Sequence, residues 1–208
     1  MSLVNYATRE ITCKIVYYGP GRSGKTTNLH YIYSQVPDDR KGKMVSLATQ
    51  TDRTLFFDFL PLDLGSISGF TTKFQLYTVP GQVYYQATRK LVLQGADGVV
   101  FVADSQSRQL EENIESFQDL HANLSDQGID PRGMPLVVQY NKQDLPAELI
   151  LPTAELSDAI NFRSVPEFAA DALHGPGVFE TLRGISELVL RRLSATGSAA
   201  GAAGAGTR

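Results

Sequence analysis

One cysteine in 208 residues leaves no internal disulfide framework. Cys13 sits in an apolar run, where a small buried hydrophobe is expected, not a reactive thiol. Charge of neither sign dominates: 19 Lys and Arg stand against 22 Asp and Glu, a formal net charge of −3. That balance gives nucleic acid no electrostatic footing as the main ligand. No apolar run approaches the roughly 18 residues that suggest a membrane span. The opening "MSLVNYATREI" lacks the basic-then-apolar order of a secretory signal, and the closing "GTR" offers no cysteine for prenylation. A cytoplasmic chain with no direct membrane anchor is the expectation. His30, His121 and His174 follow no ligand spacing, so packing or surface roles are expected of them, not metal ligation.

What is present suits one packed domain: 42% of residues are hydrophobic and 20% charged. "ITCKIVYYG" (11–19) reads as a strand ended by glycine. Leu29, Ile32, Tyr33 and Val36 then share one helical face, closed by Pro37. "KFQLYTV" alternates and meets Pro80-Gly81, while "GVVFVADS" (98–105) is apolar throughout, as a strand covered on both faces requires. Leu110, Ile114, Phe117 and Leu124 mark another helix. "PLVVQYNKQD" contains a further buried strand, and "VPEFAADA" a weaker one. A last helix from Val178 to Leu193 aligns Phe179, Leu182, Ile185 and Val189. Strand–helix alternation of this kind predicts an α/β fold, with a mostly parallel sheet and helices on both faces. The tail "SATGSAAGAAGAGTR" has no large apolar residue to offset the entropy of ordering it. Residues 1–193 are therefore expected to form the domain and 194–208 a flexible end.

"GPGRSGKTT" lies between the first strand and the first helix, and Gly19–Thr26 fits G-x-x-x-x-G-K-[ST]. Gly19, Gly21, Ser23, Gly24 and Thr27 build a cup whose N–H groups can surround phosphate oxygens, helped by the helix dipole. Lys25 is expected to reach the β- and γ-phosphates, and the Thr26 hydroxyl to ligate Mg²⁺. "NKQD" (141–144) follows a buried strand at the end where α/β sheets bind ligands. Asp144 there can accept from both N1–H and the exocyclic amine of guanine, a donor pair that adenine lacks.

"GPGRSGKTT", "TVPGQ" and "NKQD", in that order, resemble the Ras superfamily of small GTPases. The longer stretches "RKGKMVSLATQTDRTLFFDFLPL" and "YTVPGQVYYQATRKLVLQGADGVVFVADS" resemble its bacterial MglA group, the gliding-motility and cell-polarity GTPases. The resemblance implies a three-layer, P-loop, Ras-like fold with a six- or seven-stranded sheet. It implies a GTP/GDP switch, slow alone and stimulated by a Roadblock-domain activating partner of the MglB type. Polarity and motility effectors, and recruitment to a cell pole, are implied with it. By the same resemblance Asn141 ties the base loop to the phosphate loop, the stem of Lys142 covers the guanine, and the Ala172 N–H meets the guanine oxygen.

Gln82 is placed to orient the attacking water, and the Gly81 N–H to sense the γ-phosphate. Thr49, Thr51 and Thr54 compete as the switch threonine. Resemblance favours Thr54 as a Mg²⁺ ligand and Arg53 as an arginine finger supplied in cis. One residue departs from the superfamily pattern. Thr78 stands where an aspartate commonly orients Mg²⁺ through a bound water, so the threonine is expected to serve behind the metal without charge and to weaken Mg²⁺ binding. A P-loop kinase lacks support here, since no Arg-rich lid is evident. A nucleotide-binding regulatory scaffold with little hydrolysis is the alternative to a switch.

Overall fold

The computed structural model describes residues 3–5, 7–47, 57–67 and 69–203. Arg53 and the competing threonines Thr49, Thr51 and Thr54 lie outside them. Among the described residues eight strands, β1 (Leu3–Asn5), β2 (Glu10–Tyr18), β3 (Val45–Leu47), β4 (Phe57–Ile67), β5 (Phe70–Thr78), β6 (Gly98–Asp104), β7 (Leu136–Asn141) and β8 (Glu167–Ala169), form one sheet. Seven run in the order β3-β4-β5-β2-β6-β7-β8, and the short β1 adds beside β2. Strands β5, β2, β6, β7 and β8 pair in parallel, whereas β3, β4 and β1 are antiparallel to their neighbours. This is the mostly parallel α/β sheet expected, with the antiparallel part gathered at one side.

Among the described residues, five α-helices cover the faces: α1 (Lys25–Gln35), α2 (Gln86–Leu93), α3 (Leu110–Asp126), α4 (Thr153–Ile160) and α5 (Val178–Ala203). Side-chain alternation along each strand splits the interior in two. Val16, Tyr18, Val99, Phe101 and Val138 point to one side, against Leu93 of α2, Phe117 and Leu120 of α3 and Leu156 of α4. Ile15, Tyr17, Val100, Val102 and Val137 point to the other, against Leu29 and Ile32 of α1 and Leu182, Ile185 and Val189 of α5. All seven residues of β6 are buried, which explains why the run is apolar up to its last residue, Asp104. Cys13 is fully buried in the second of these cores.

Two short helices, α2 and α4, were not evident from sequence periodicity. Each has only eight residues, too few for a sustained apolar repeat. The last helix does not stop at Leu193. It continues through Ser194–Ala203, where alanine is the best helix former and no proline interrupts. The expected boundary at 193/194 therefore falls inside α5.

Candidate functional site

Strand β2 runs straight into the phosphate loop, and the loop into α1. Gly24 precedes the helix with φ 102, a left-handed conformation that glycine adopts without a Cβ penalty. Space demands glycine there too, because a Cβ would lie 2.1 Å from the Asn141 side-chain nitrogen. Asn141, the last residue of β7, donates that nitrogen to the Ser23 carbonyl at 2.8 Å. Its side-chain oxygen accepts from the Ala172 N–H at 2.9 Å. One buried carboxamide thus joins three loops that are far apart in sequence.

The ammonium of Lys25 folds back over the cup. It donates to the Gly19 carbonyl at 2.9 Å and to the Pro20 carbonyl at 2.5 Å, with Ser23 Oγ at 3.5 Å. Burial, and secondarily the nearby Arg89 charge, push its pKa down to about 7, against the pull of Asp58. A phosphate beside this ammonium would supply the negative charge that burial denies it. Gly81 rests directly on the loop, since a Cβ there would lie 2.3 Å from the Gly21 nitrogen. Gly21 itself has open space where a side chain would project, its nearest neighbour being the Gly81 carbonyl carbon at 4.0 Å.

At the base loop, the Ala172 N–H donates to Asn141 Oδ1, and the turn after it is organised by Asp171. That carboxylate accepts from the N–H groups of Leu173 and His174 at 3.0 and 3.1 Å. The ammonium of Lys142, a residue with φ 74, pairs with Asp104 at the end of β6 at 2.5 Å. Asp144 is exposed, within 4.8 Å of ligand-type atoms of Asp171 and His174. Thr27 is half-buried beside Thr26 at the start of α1, and the Gln82 side chain is exposed.

Two buried charged residues that contact these loops do not show in the sequence. Asp58, at the start of β4 and only 8% exposed, gathers three hydroxyls. Thr26 donates to its Oδ2 at 2.6 Å, Thr78 to the same oxygen at 2.9 Å, and Ser46 to Oδ1 at 2.7 Å. The Asp58 N–H in turn donates to the Thr78 hydroxyl at 2.8 Å. Arg89 of α2 is the second. It donates to the Gln82 carbonyl at 2.6 Å and the Pro80 carbonyl at 3.4 Å, and pairs with Asp119 of α3 at 2.8 Å. Asp119 also accepts from Tyr18, immediately before the phosphate loop, and from Asn123. No local motif could have marked either residue, because each is joined to the site only by contacts across elements.

A phosphate loop at the end of one strand, clamped through Asn141 to an Asn-Lys-x-Asp loop at the end of another, defines a guanine-nucleotide-binding protein of the small GTPase class. A family model, the ADP-ribosylation factor family, matches residues 2–189. The mutual gliding-motility protein MglA of Myxococcus xanthus (strain DK1622) is 57% identical over 197 residues, 95% of this chain and 100% of that one. ADP-ribosylation factor-like protein 6 of Caenorhabditis briggsae is 24% identical over 86% of this chain and 87% of its own length. ADP-ribosylation factor-related protein 1 of Rattus norvegicus is 27% identical over 86% of each. The chain belongs to the ADP-ribosylation factor family of small GTPases, within its MglA group, and it binds and hydrolyses GTP. Among the described residues, no helix is long and apolar enough to cross a membrane.

Proposed function

We propose that this GTPase is a switch for gliding motility and cell polarity, set by which guanine nucleotide it holds. The motility part rests on likeness to the M. xanthus protein, whose name carries that role. The nucleotide part rests on one observation above all, the Asn141 clamp between Ser23 and Ala172. That clamp supports a reading in which the loop that would take the triphosphate and the loop that would take the base are tied to each other.

In this reading the N–H groups of Gly19–Thr27 cradle the phosphates, and Lys25 exchanges its carbonyl partners for β- and γ-oxygens. Asp144 accepts from guanine, and Lys142 lays its stem along the ring. The oxygen-rich corner of Thr26, Ser46, Asp58 and Thr78 suits a hard divalent cation. Thr26 would hold Mg²⁺ there, with Thr54, which lies outside the described residues, as a second ligand implied by the resemblance. A cation held by these oxygens would offset the negative charge of the phosphates. The Gly81 N–H meets the γ-phosphate, and Gln82 orients a water in line with the γ-phosphorus. Arg53 brings a guanidinium to the transferring oxygens. Water adds to phosphorus as the bond to the β-phosphate oxygen breaks, leaving GDP and phosphate. Loss of the γ-phosphate removes the tie on Gly81, and partner affinity changes with it.

Regulators and effectors are expected of any such switch. A Roadblock-domain protein of the MglB type is the activating partner we propose, with effectors that recruit the chain to a cell pole. Phosphate release over many turnovers tests the reading. Slow release from GTP, none from ATP, and acceleration on the order of 10³-fold or more with the Roadblock partner are expected. Equal turnover of ATP, or no response to the partner, would refute it.

A further inference from the structure

Strand β7 is buried at every position, yet it carries two amides, Gln139 and Asn141. Two residues apart, they share the face on which Val137 meets α1 and α5. Asn141 is the clamp on the Ser23 carbonyl. Gln139 makes a second clamp one step deeper. Its Oε1 accepts from the Asn28 amide of α1 at 2.8 Å, and its Nε2 donates back to Asn28 Oδ1 at 3.0 Å. The other N–H of the Asn28 amide reaches the Gly24 carbonyl at 3.0 Å, and that of Gln139 the Thr181 hydroxyl of α5 at 2.9 Å. Thr181 in turn donates to the Gly177 carbonyl at 2.6 Å. Asn28, Gln139 and Thr181 have no exposed surface, and both amides use every N–H they possess.

Buried polar groups matched this completely specify one arrangement of their elements, where apolar contacts alone would let them slide. Two clamps do what one cannot. The Asn141 bond holds a point of the phosphate loop, and the Asn28–Gln139 pair, one helical turn beyond Gly24, fixes the direction of α1 against β7. The same helix also meets the base loop. Three residues past Asn28, Tyr31 lies against the backbone of Gly175, where a Cβ would fall 1.9 Å from the tyrosine oxygen. The Gly175 N–H donates to the Asp171 carbonyl at 2.7 Å, so this contact bears on the turn beside Ala172.

We infer that Asn28 and Gln139 are positioning residues that couple the phosphate end of the nucleotide site to its base end. The inference rests on the proposed placing of phosphates at Gly19–Thr27 and of guanine at Asp144. Neither amide touches nucleotide in that reading. If α1 tilts, the loop N–H groups shift relative to Asn141, and Asp144, three residues further on, shifts relative to the purine. Hydrogen bonds weaken steeply once their angle fails, so a small tilt is felt at both ends.

Affinities for GDP, inosine diphosphate (IDP) and GMP, measured by calorimetry at saturating Mg²⁺, separate the two ends. IDP lacks the exocyclic amine that Asp144 accepts from, so the GDP-to-IDP ratio reports alignment at the base. GMP lacks the β-phosphate, so the GDP-to-GMP ratio reports alignment of the phosphate loop. Asn28→Leu, on the phosphate side, is expected to lower the GDP-to-IDP preference about 3- to 10-fold. Gln139→Met, on the base strand, is expected to lower the GDP-to-GMP preference by a similar factor. The double variant should match the worse single one in each ratio, because both changes break one contact. If either single variant leaves its named ratio at the wild-type value, the inference is overturned and the pair is a packing feature only. Should a single change strand its partner amide and prevent folding, the double variant decides alone, since it replaces both partners by apolar groups. Both ratios must then fall. A wild-type chain that binds IDP as tightly as GDP would sink the assignment of Asp144 instead, a distinct result.

Discussion

Substituting Arg89 by methionine removes a charge from a nearly closed space. The Arg89 side chain is 8% exposed and its partner Asp119 is 25% exposed. Breaking a buried ion pair at one end typically costs about 3–5 kcal/mol, because the other charge is left without compensation. Two features reduce that figure here. Asp119 keeps neutral donors in Tyr18 and Asn123, and a quarter of its side chain meets water. Loss of the Arg89 charge also relieves Lys25, whose pKa it depresses. Against this stand the Gln82 and Pro80 carbonyls, which lose their donor. A net cost of about 2–4 kcal/mol follows. For a chain of this size that corresponds to a fall in Tm of roughly 5–15 °C.

Urea unfolding at fixed GDP and Mg²⁺ measures the cost, with ligand concentrations held constant because bound nucleotide itself stabilises the fold. Adding Asp119→Asn removes the stranded charge while keeping an acceptor for Tyr18, so the double variant should recover at least about 1 kcal/mol. A single substitution costing under about 1 kcal/mol, or a cycle additive within about 0.5 kcal/mol, would refute the argument. GTP turnover should fall as well, since the carbonyl that fixes the backbone at Gln82 is released.

Arg53→Ala should cut partner-stimulated GTP turnover by roughly 10³-fold or more while GDP affinity holds, and single-turnover assays would detect it. Asp144→Ala should erase the preference for GTP over ATP through loss of two charge-assisted hydrogen bonds, each of about 1.5–3 kcal/mol; competition calorimetry measures this. His121 packs at a tilt against both Phe117 and Phe162, with centroid distances of 4.9 and 5.3 Å, and burial lowers its pKa below 6.5, with Arg163 adding to the effect. The unfolded chain therefore takes up the proton first, so stability declines as pH falls through 6.5 and levels off below the depressed native value. His121→Phe should flatten that part of the pH profile in urea titrations, and an unaltered slope would remove His121 as its source.

Much of the fold was legible because its signals are short-range. The run 98–103 is apolar at every position because both faces of β6 are covered, and the face of α1 repeats within a few turns. The phosphate loop was visible for the same reason. Its glycines, lysine and threonine act within nine consecutive residues, and the loop geometry is a property of that stretch. Helix α4 and the onward run of α5 into 194–203 were less visible, one because it is short and the other because alanine carries no amphipathic pattern. The Asn141–Ala172 hydrogen bond was not legible, because the two residues lie 31 positions apart.

Residue chemistry along the chain thus decided that a triphosphate and a guanine could be recognised, since turn conformation, helix start and side-chain donors are local properties. Packing decided the rest. Only the antiparallel register of β4 on β5 brings the Asp58 carboxylate to Thr26 and Thr78, and only the seating of α2 against α3 delivers Arg89 to the Gln82 carbonyl. Electrostatic work depends on separations of about 3 Å, and the pairing of strands and docking of helices set those separations.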